Sequence, residues 1–490
     1  MKNEKKSISI MYLLILVYMC MSLKFSTINI IKILAMLFIT IITLAINYYF
    51  FEKKNIEVHK KFMICAMIFG FILIFINPIL HGIDEGAHFF KVYSLICGTE
   101  DLYNNQNELV DKVPKAIYNA DCVKKYVDIF NVKNTKIDKN DYIIINEYIG
   151  AKLYSIFSYI PYLLPMLIFQ KILNMDIIGV IYIGRICAFI CWVLISTYTI
   201  KIIPRRKEFI AFLCLMPISL TLVTTYTGDL VTNSVILLFL AYWYRLYCEK
   251  RLISSKEIII ITILGIISAS AKLVYSIIFF LLMILPIECF KNQKHKIKII
   301  FLIIISIIVA TFINLSIVGN DLINAYPKIK LQKEFILSNM AKYIWILIST
   351  IITNFPIYVC QFTTGKITMC HNAIRVNDVF SILYVAILIV SVLSEKSEMN
   401  LKKSEKILIS IIISLIVIII FTSLYLQWTA TNYGIGANQV YGVQGRYFTP
   451  IVALFILANT KNDYKFDKKY LWTSVLLINI IIIFKIIINF

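Results

Sequence analysis

This chain has little of what interrupts hydrophobic sequence in soluble domains. Of its 490 residues only 16% are charged, and it holds 15 glycines and 10 prolines. Acidic residues are scarcer still, 28 against 49 lysines and arginines. The eleven cysteines form no C-x-x-C pair and no Cys/His cluster, which removes zinc-ribbon and thioredoxin-like readings. Most sit in apolar runs (Cys20, Cys65, Cys187, Cys191, Cys214), where cysteine acts as a small hydrophobe. Cys97 and Cys122 are the one pair placed for a disulfide. No small-residue cleavage site follows the first apolar run, Ile8 to Leu23, so it reads as a retained signal anchor.

What is present is hydrocarbon. Hydrophobic residues reach 60%, where soluble domains stay at roughly 45–50%. They come in runs near the ~20 residues that a helix needs to cross a bilayer, such as Ile297 to Val318 and Ile407 to Leu426. Such runs neither alternate nor follow an amphipathic period. The fold class expected is an all-α, polytopic transmembrane helical bundle. The net charge of +21 is no nucleic-acid signal, because the lysines fall in short loops between apolar runs, as topology determinants do.

Lys2, Lys5 and Lys6 place the N-terminus in the cytoplasm, and the loop Glu52 to Lys61 returns there. The basic loops Lys201 to Lys207, Glu249 to Lys256, Lys291 to Lys298, Glu395 to Lys406 and Lys461 to Lys469 should lie on the same side. Parity then leaves two apolar stretches, Leu153 to Ile172 and Lys342 to Phe362, without a net crossing. They are expected as juxtamembrane or re-entrant helices on the outer face, with about 13 crossings in total. The expected organisation is an N-terminal start and hairpin over 1–61, a main transmembrane domain over 62–460 with a large outer loop at 81–150, and a final loop and helix over 461–490.

That topology gathers the unusual polar residues at the outer ends of helices. Asp84 and Glu85, flanked by His81 and His88, emerge as a helix leaves the membrane. A carboxylate there suits a general base beside an apolar donor, since desolvation raises its pKa. It equally suits a helix N-cap at Asp84, and the four side chains together allow for a divalent cation. Asp229 starts a helix with Asn233 one turn on, either as a functional boundary carboxylate or as a cap. Arg185 and Lys272 in apolar helices either snorkel or bind phosphate. Arg446, between aromatics, belongs to an interfacial belt or clamps a phosphate.

Asp84-Glu85-x-Ala87-His88 after an outward helix resembles the DE-x-AH motif of the bacterial domain-of-unknown-function 2142 membrane family. Gly442-Val443-Gln444-Gly445-Arg446-Tyr447-Phe448-x-Pro450 resembles its C-terminal GVQGRYF-x-P, with a preceding tryptophan like Trp428. Tyr182-x-Gly184-Arg185, Asp229-x-x-x-Asn233 and Lys272-x-x-Tyr275 match weaker positions in order, so the similarity spans Phe62 to Thr460. Two departures stand out. Met1 to Lys61 adds a helix pair, and Phe362 to Asn377 lacks an expected LGWLD-like segment.

That family is similar to the GT-C class of lipid-linked-sugar glycosyltransferases. The resemblance implies a GT-C-like fold and transfer of a sugar from a polyprenyl-phosphate donor to a glycan or other acceptor outside a bacterial plasma membrane. Asp84 would be the base, with Glu85 orienting it or holding a metal. Arg446, Arg185 and Lys272 would grip donor phosphate, and Asp229 would bind acceptor or support Asp84. His88, Asn233, Trp428, Gln444 and Tyr447 would contact substrate. A transporter or flippase of lipid-linked or anionic cargo is the alternative, but no repeat symmetry favours it. The partners implied are lipid-linked sugar, acceptor glycan and membrane lipid, with no nucleic acid. The topology is directly testable: a cysteine at Asn105 should react with an impermeant thiol reagent outside intact cells, and one at Lys403 should not. Equal labelling of the two would overturn the orientation.

Overall fold

The computed structural model describes residues 2–489 apart from 22, 24–26, 54–55, 99–100, 104–108, 123–131, 146–147, 149–150, 152–153, 365–377, 396–398, 400, 460–463 and 465. Asn105 and the departing stretch after Thr364 therefore lie outside the described residues.

The apolar runs become helices because a helix satisfies its own backbone where no water is present. The main ones are α1 (Lys2–Met21), α2 (Thr27–Glu52), α3 (Val58–Ile76), α4 (Glu85–Cys97), α5 (Ile177–Ile202), α6 (Asp229–Glu249), α7 (Ser255–Ala271), α8 (Gln293–Ala325), α9 (Met340–Thr363), α10 (Asp378–Leu393), α11 (Lys403–Leu424) and α12 (Lys468–Asn489). Among the described residues eight helices are long and apolar enough to cross a membrane, and the chain is a helical membrane protein. Shorter apolar helices accompany them, Ile156–Ile172, Leu273–Ile284, α10 and Gly445–Ala458.

Two segments depart from expectation. Lys342 to Phe362 lies within α9, one continuous helix of 24 residues, long enough to cross. Loop-charge parity had put it on the outer face. Its exposed Trp345, Ile352 and Phe355 give it an apolar face suited to hydrocarbon. The long polar loop after α3 also departs from an all-α fold. Asp101–Tyr103, Leu109–Pro114 and Tyr142–Ile145 pair as a three-stranded antiparallel sheet, with Asp111 opposite Ile145. Such short strands leave no run for a hydropathy reading to find. Within the same loop, no disulfide joins Cys97 to Cys122.

The bundle core is built from α3, α5 and α6, with the Pro217–Val223 helix beside them. α3 leaves the lysine-rich end and delivers Asp84 at the other, and α6 starts at Asp229 beside it and runs back to Glu249. At the lysine-rich end Arg251 forks onto Glu257 at 2.6 and 2.9 Å and reaches Glu249 at 2.7 Å. The two chain termini pack together, α2 against α12. Asn47 accepts from Thr473 at 3.1 Å, and Lys469 meets Glu4 at 2.9 Å.

α11 passes through a widened π turn, Tyr425–Thr429, before the chain returns as the tight turn Gly445–Phe448. Gly445 lies directly on α9. Its amide donates to Gln361 Oε1 at 3.1 Å, and a Cβ there would collide with the Tyr358 carbonyl and lie 2.5 Å from the Phe362 nitrogen. This backbone-to-backbone approach seats Arg446. Gly445→Ala should therefore cost about 1–3 kcal/mol, as overpacking does, read as a lowered thermal midpoint of the purified protein in detergent. An unchanged midpoint would mean the turn is not seated this way.

Candidate functional site

Four charged side chains meet where α6 begins. Asp229 Oδ1 accepts from Lys272 Nζ at 2.5 Å, and Arg446 Nε lies 3.1 Å from Asp229 Oδ2. Arg446 Nη2 donates to Asp84 Oδ2 at 3.2 Å, closing the cluster across 362 residues of sequence. Lys272 stands 4.5 Å from the Tyr447 ring and 5.9 Å from that of Tyr154, within cation–π range. Arg446 is only 6% exposed, yet among the described residues its Nε and Nη1 donate to no acceptor, the Nε approach to Asp229 being off the N–H direction. A buried guanidinium with unused donors is costly.

Glu85 and Arg185 do something else. Both are 0% exposed. Arg185 Nε and Nη2 fork onto the Glu85 carboxylate at 2.8 and 2.7 Å. Its other N–H groups donate to the carbonyls of Ile74, Asn77 and Pro78 at 2.8–3.1 Å. Glu85 also accepts the amides of Gly82 at 2.7 Å and Tyr226 at 3.0 Å. All five guanidinium N–H groups are spent inside the protein. The pair thus ties the end of α3 to α5 and to the turn before Asp229, and leaves neither member a hand for substrate.

Asp84 sits at the cap position of α4, but its side chain caps nothing. Its backbone is left-handed, φ 57°, a conformation that costs most residues about 1–2 kcal/mol and that Asp and Asn tolerate better. The side chain is 56% exposed and turned to Arg446. The N-cap reading of the sequence is not what the fold uses.

His88 is buried against the cluster. Its Nδ1 lies 2.6 Å from the Tyr159 hydroxyl, and its ring meets Tyr154 edge-on at 5.2 Å. Burial pushes the imidazole down to about 4, so it is neutral at physiological pH. Among the described residues no three His, Cys, Asp or Glu side chains gather as a metal site. His81, Asp84, Glu85 and His88 do not fit a cation, since Glu85 is consumed by Arg185 and Asp84 faces Arg446.

All these residues lie inside the stretch 67–455, which matches the model of a family described as "Predicted membrane protein (DUF2142)". The chain belongs to the DUF2142 family. No curated protein and no solved structure matches it.

Other family-motif residues of this DUF2142 protein lie apart from the ions. Trp428, 45% exposed, packs on Gly442. Gln444 uses its carbonyl to accept the Tyr447 amide at 3.0 Å. Asn233, one turn along α6 from Asp229, lines with it and Thr449 a cavity of about 20 Å³, room for one water. Sequence reasoning passed over Tyr154, Tyr159 and Gln361. The two tyrosines stood in an aromatic-rich stretch with Phe157 and Tyr162, whereas Gln361 had no signal.

The two acidic neighbours should separate on mutation. Glu85→Gln or Arg185→Ala breaks a buried pair and should cost about 3–5 kcal/mol, read as lost membrane abundance and thermal stability. Asp84→Gly, suited to the left-handed backbone, should leave both unchanged. Equal loss in the two sets would contradict this division.

Proposed function

We propose that this DUF2142 protein is a membrane glycosyltransferase acting on the outer face. It would move a sugar from a polyprenyl-phosphate donor to a glycan or other surface acceptor. The observation that carries the reading is Arg446, buried, with two unused donors, beside an exposed carboxylate. Helix ends in a membrane protein are where a lipid-linked phosphodiester could be met, which supports a lipid-linked donor over a soluble phosphate. The motif resemblance to lipid-linked-sugar transferases points the same way.

In this reading the acceptor hydroxyl gives its proton to Asp84 as its oxygen bonds to the anomeric carbon. The bond from that carbon to the phosphate oxygen breaks, and the electron pair leaves on polyprenyl phosphate. The phosphate goes from one negative charge to two, and that developing charge is what the end of the Arg446 guanidinium, Nη1 with Nη2, and Lys272 close by would stabilise. Asp229 holds the two cations in place. His88, neutral, offers its second ring nitrogen to a hydroxyl rather than to a charge. Glu85 and Arg185 shape the site without touching the reacting atoms.

The reading predicts that Asp84→Asn and Asp84→Gly insert normally while transfer falls by about 10²–10⁴-fold, the range of positioned acid–base catalysis. Arg446→Lys keeps the charge but loses the planar fork, so it should transfer more slowly than the parent and faster than Arg446→Ala. The measurement is sugar transfer from lipid-linked donor in membranes, with abundance recorded alongside. Full activity in both the Asp84 and Arg446 variants would sink the enzymatic reading.

A further inference from the structure

The cluster neutralises itself in this structure. Two cations, Arg446 and Lys272, face two carboxylates, Asp84 and Asp229. Their holds differ. Asp229 is 10% exposed, with one oxygen 2.5 Å from Lys272 and the other 3.1 Å from Arg446. Asp84 is 56% exposed and keeps a single 3.2 Å contact through Oδ2. Partly exposed ion pairs are weak, because water competes for the carboxylate. A phosphate that engages Arg446 end-on needs Nη1 and Nη2 together, the usual two-pronged geometry. Nη1 is unused, and Nη2 is the atom that Asp84 holds.

Nη2 has a second N–H, but a phosphate seated there would stand as a like charge against the Asp84 carboxylate and repel it. Asp84, on a strained left-handed backbone at the solvent edge, is the one able to leave. We infer that Asp84 is a displaceable stand-in for the donor phosphate on Arg446, so that donor binding itself frees the Asp84 carboxylate to accept the acceptor's proton. Donor then binds before acceptor, and the base stays neutralised until a donor is present. The inference rests on the proposed glycosyltransferase reading, in which the phosphate belongs to the donor.

Undecaprenyl phosphate, the leaving group of that reaction, is a probe that needs no knowledge of the sugar. Its binding to the purified full-length chain in lipid nanodiscs can be compared for the parent, Asp84→Asn, Asp84→Gly and Arg446→Ala. Removing the competing carboxylate should tighten binding by about fivefold to twentyfold in both Asp84 variants, while Arg446→Ala weakens it. The glycine variant fits the backbone, so it carries the test should the asparagine variant fold poorly. Unchanged or weaker binding in the Asp84 variants, with a parent that binds, overturns the displacement and leaves the transferase reading standing. A parent that does not bind undecaprenyl phosphate overturns the reading itself.

Discussion

The site depends on one buried ion pair, Glu85 with Arg185. Neither has any solvent, and in such surroundings a lone charge would cost many kcal/mol. The fold accommodates the pair by surrounding it with acceptors and donors. Three carbonyls at the end of α3 complete the guanidinium, and two amides complete the carboxylate. The same hydrogen bonds stitch α3, the 78–84 turn, α5 and the 226 turn into one unit. Asp84 is adjacent to Glu85 and Asp229 lies three residues past Tyr226, so the pair sets the positions of both carboxylates of the reactive cluster. Gly184, next to Arg185, lets the Tyr226 hydroxyl come against α5, where a Cβ would collide with it.

Two arginines therefore have opposite characters. Arg185 has every donor used and serves as a fastener. Arg446 is nearly as buried but underused, and its unsatisfied N–H groups are where an anion gains most. The difference comes from seating. Arg185 projects from the middle of the bundle among free carbonyls at a helix end. Arg446 is delivered by a tight turn whose backbone is pressed onto α9 through Gly445 and Gln361. That turn presents the side chain to Asp84 and Asp229.

Beyond the cluster, the molecule is asymmetric along its helix axes. One end carries the short basic loops and their local ion pairs, such as Arg251 with Glu257. The other carries the cluster of Asp84, Asp229, Lys272 and Arg446. The N-terminal hairpin and the last helix, both outside the family-matched stretch 67–455, join through Asn47 and Thr473. Polar contacts between helices of this kind supply adhesion where apolar burial gives none.

The sequence by itself determined the helical membrane class, the family, and most of the residues that meet at the site. Twenty-residue apolar runs admit few other solutions, and charges stranded at helix ends are too expensive to be accidental. Asp84, Asp229, Lys272 and Arg446 were legible on that ground. Their division of labour was not. Whether a buried arginine is saturated or left wanting depends on carbonyls brought from other helices, and Ile74, Asn77 and Pro78 carry no mark of that duty. The left-handed backbone at Asp84, the sheet in the outer loop and the unbroken α9 were likewise decided in three dimensions. Hydropathy and loop charge register none of the three, because they report neither backbone dihedrals nor strand pairing.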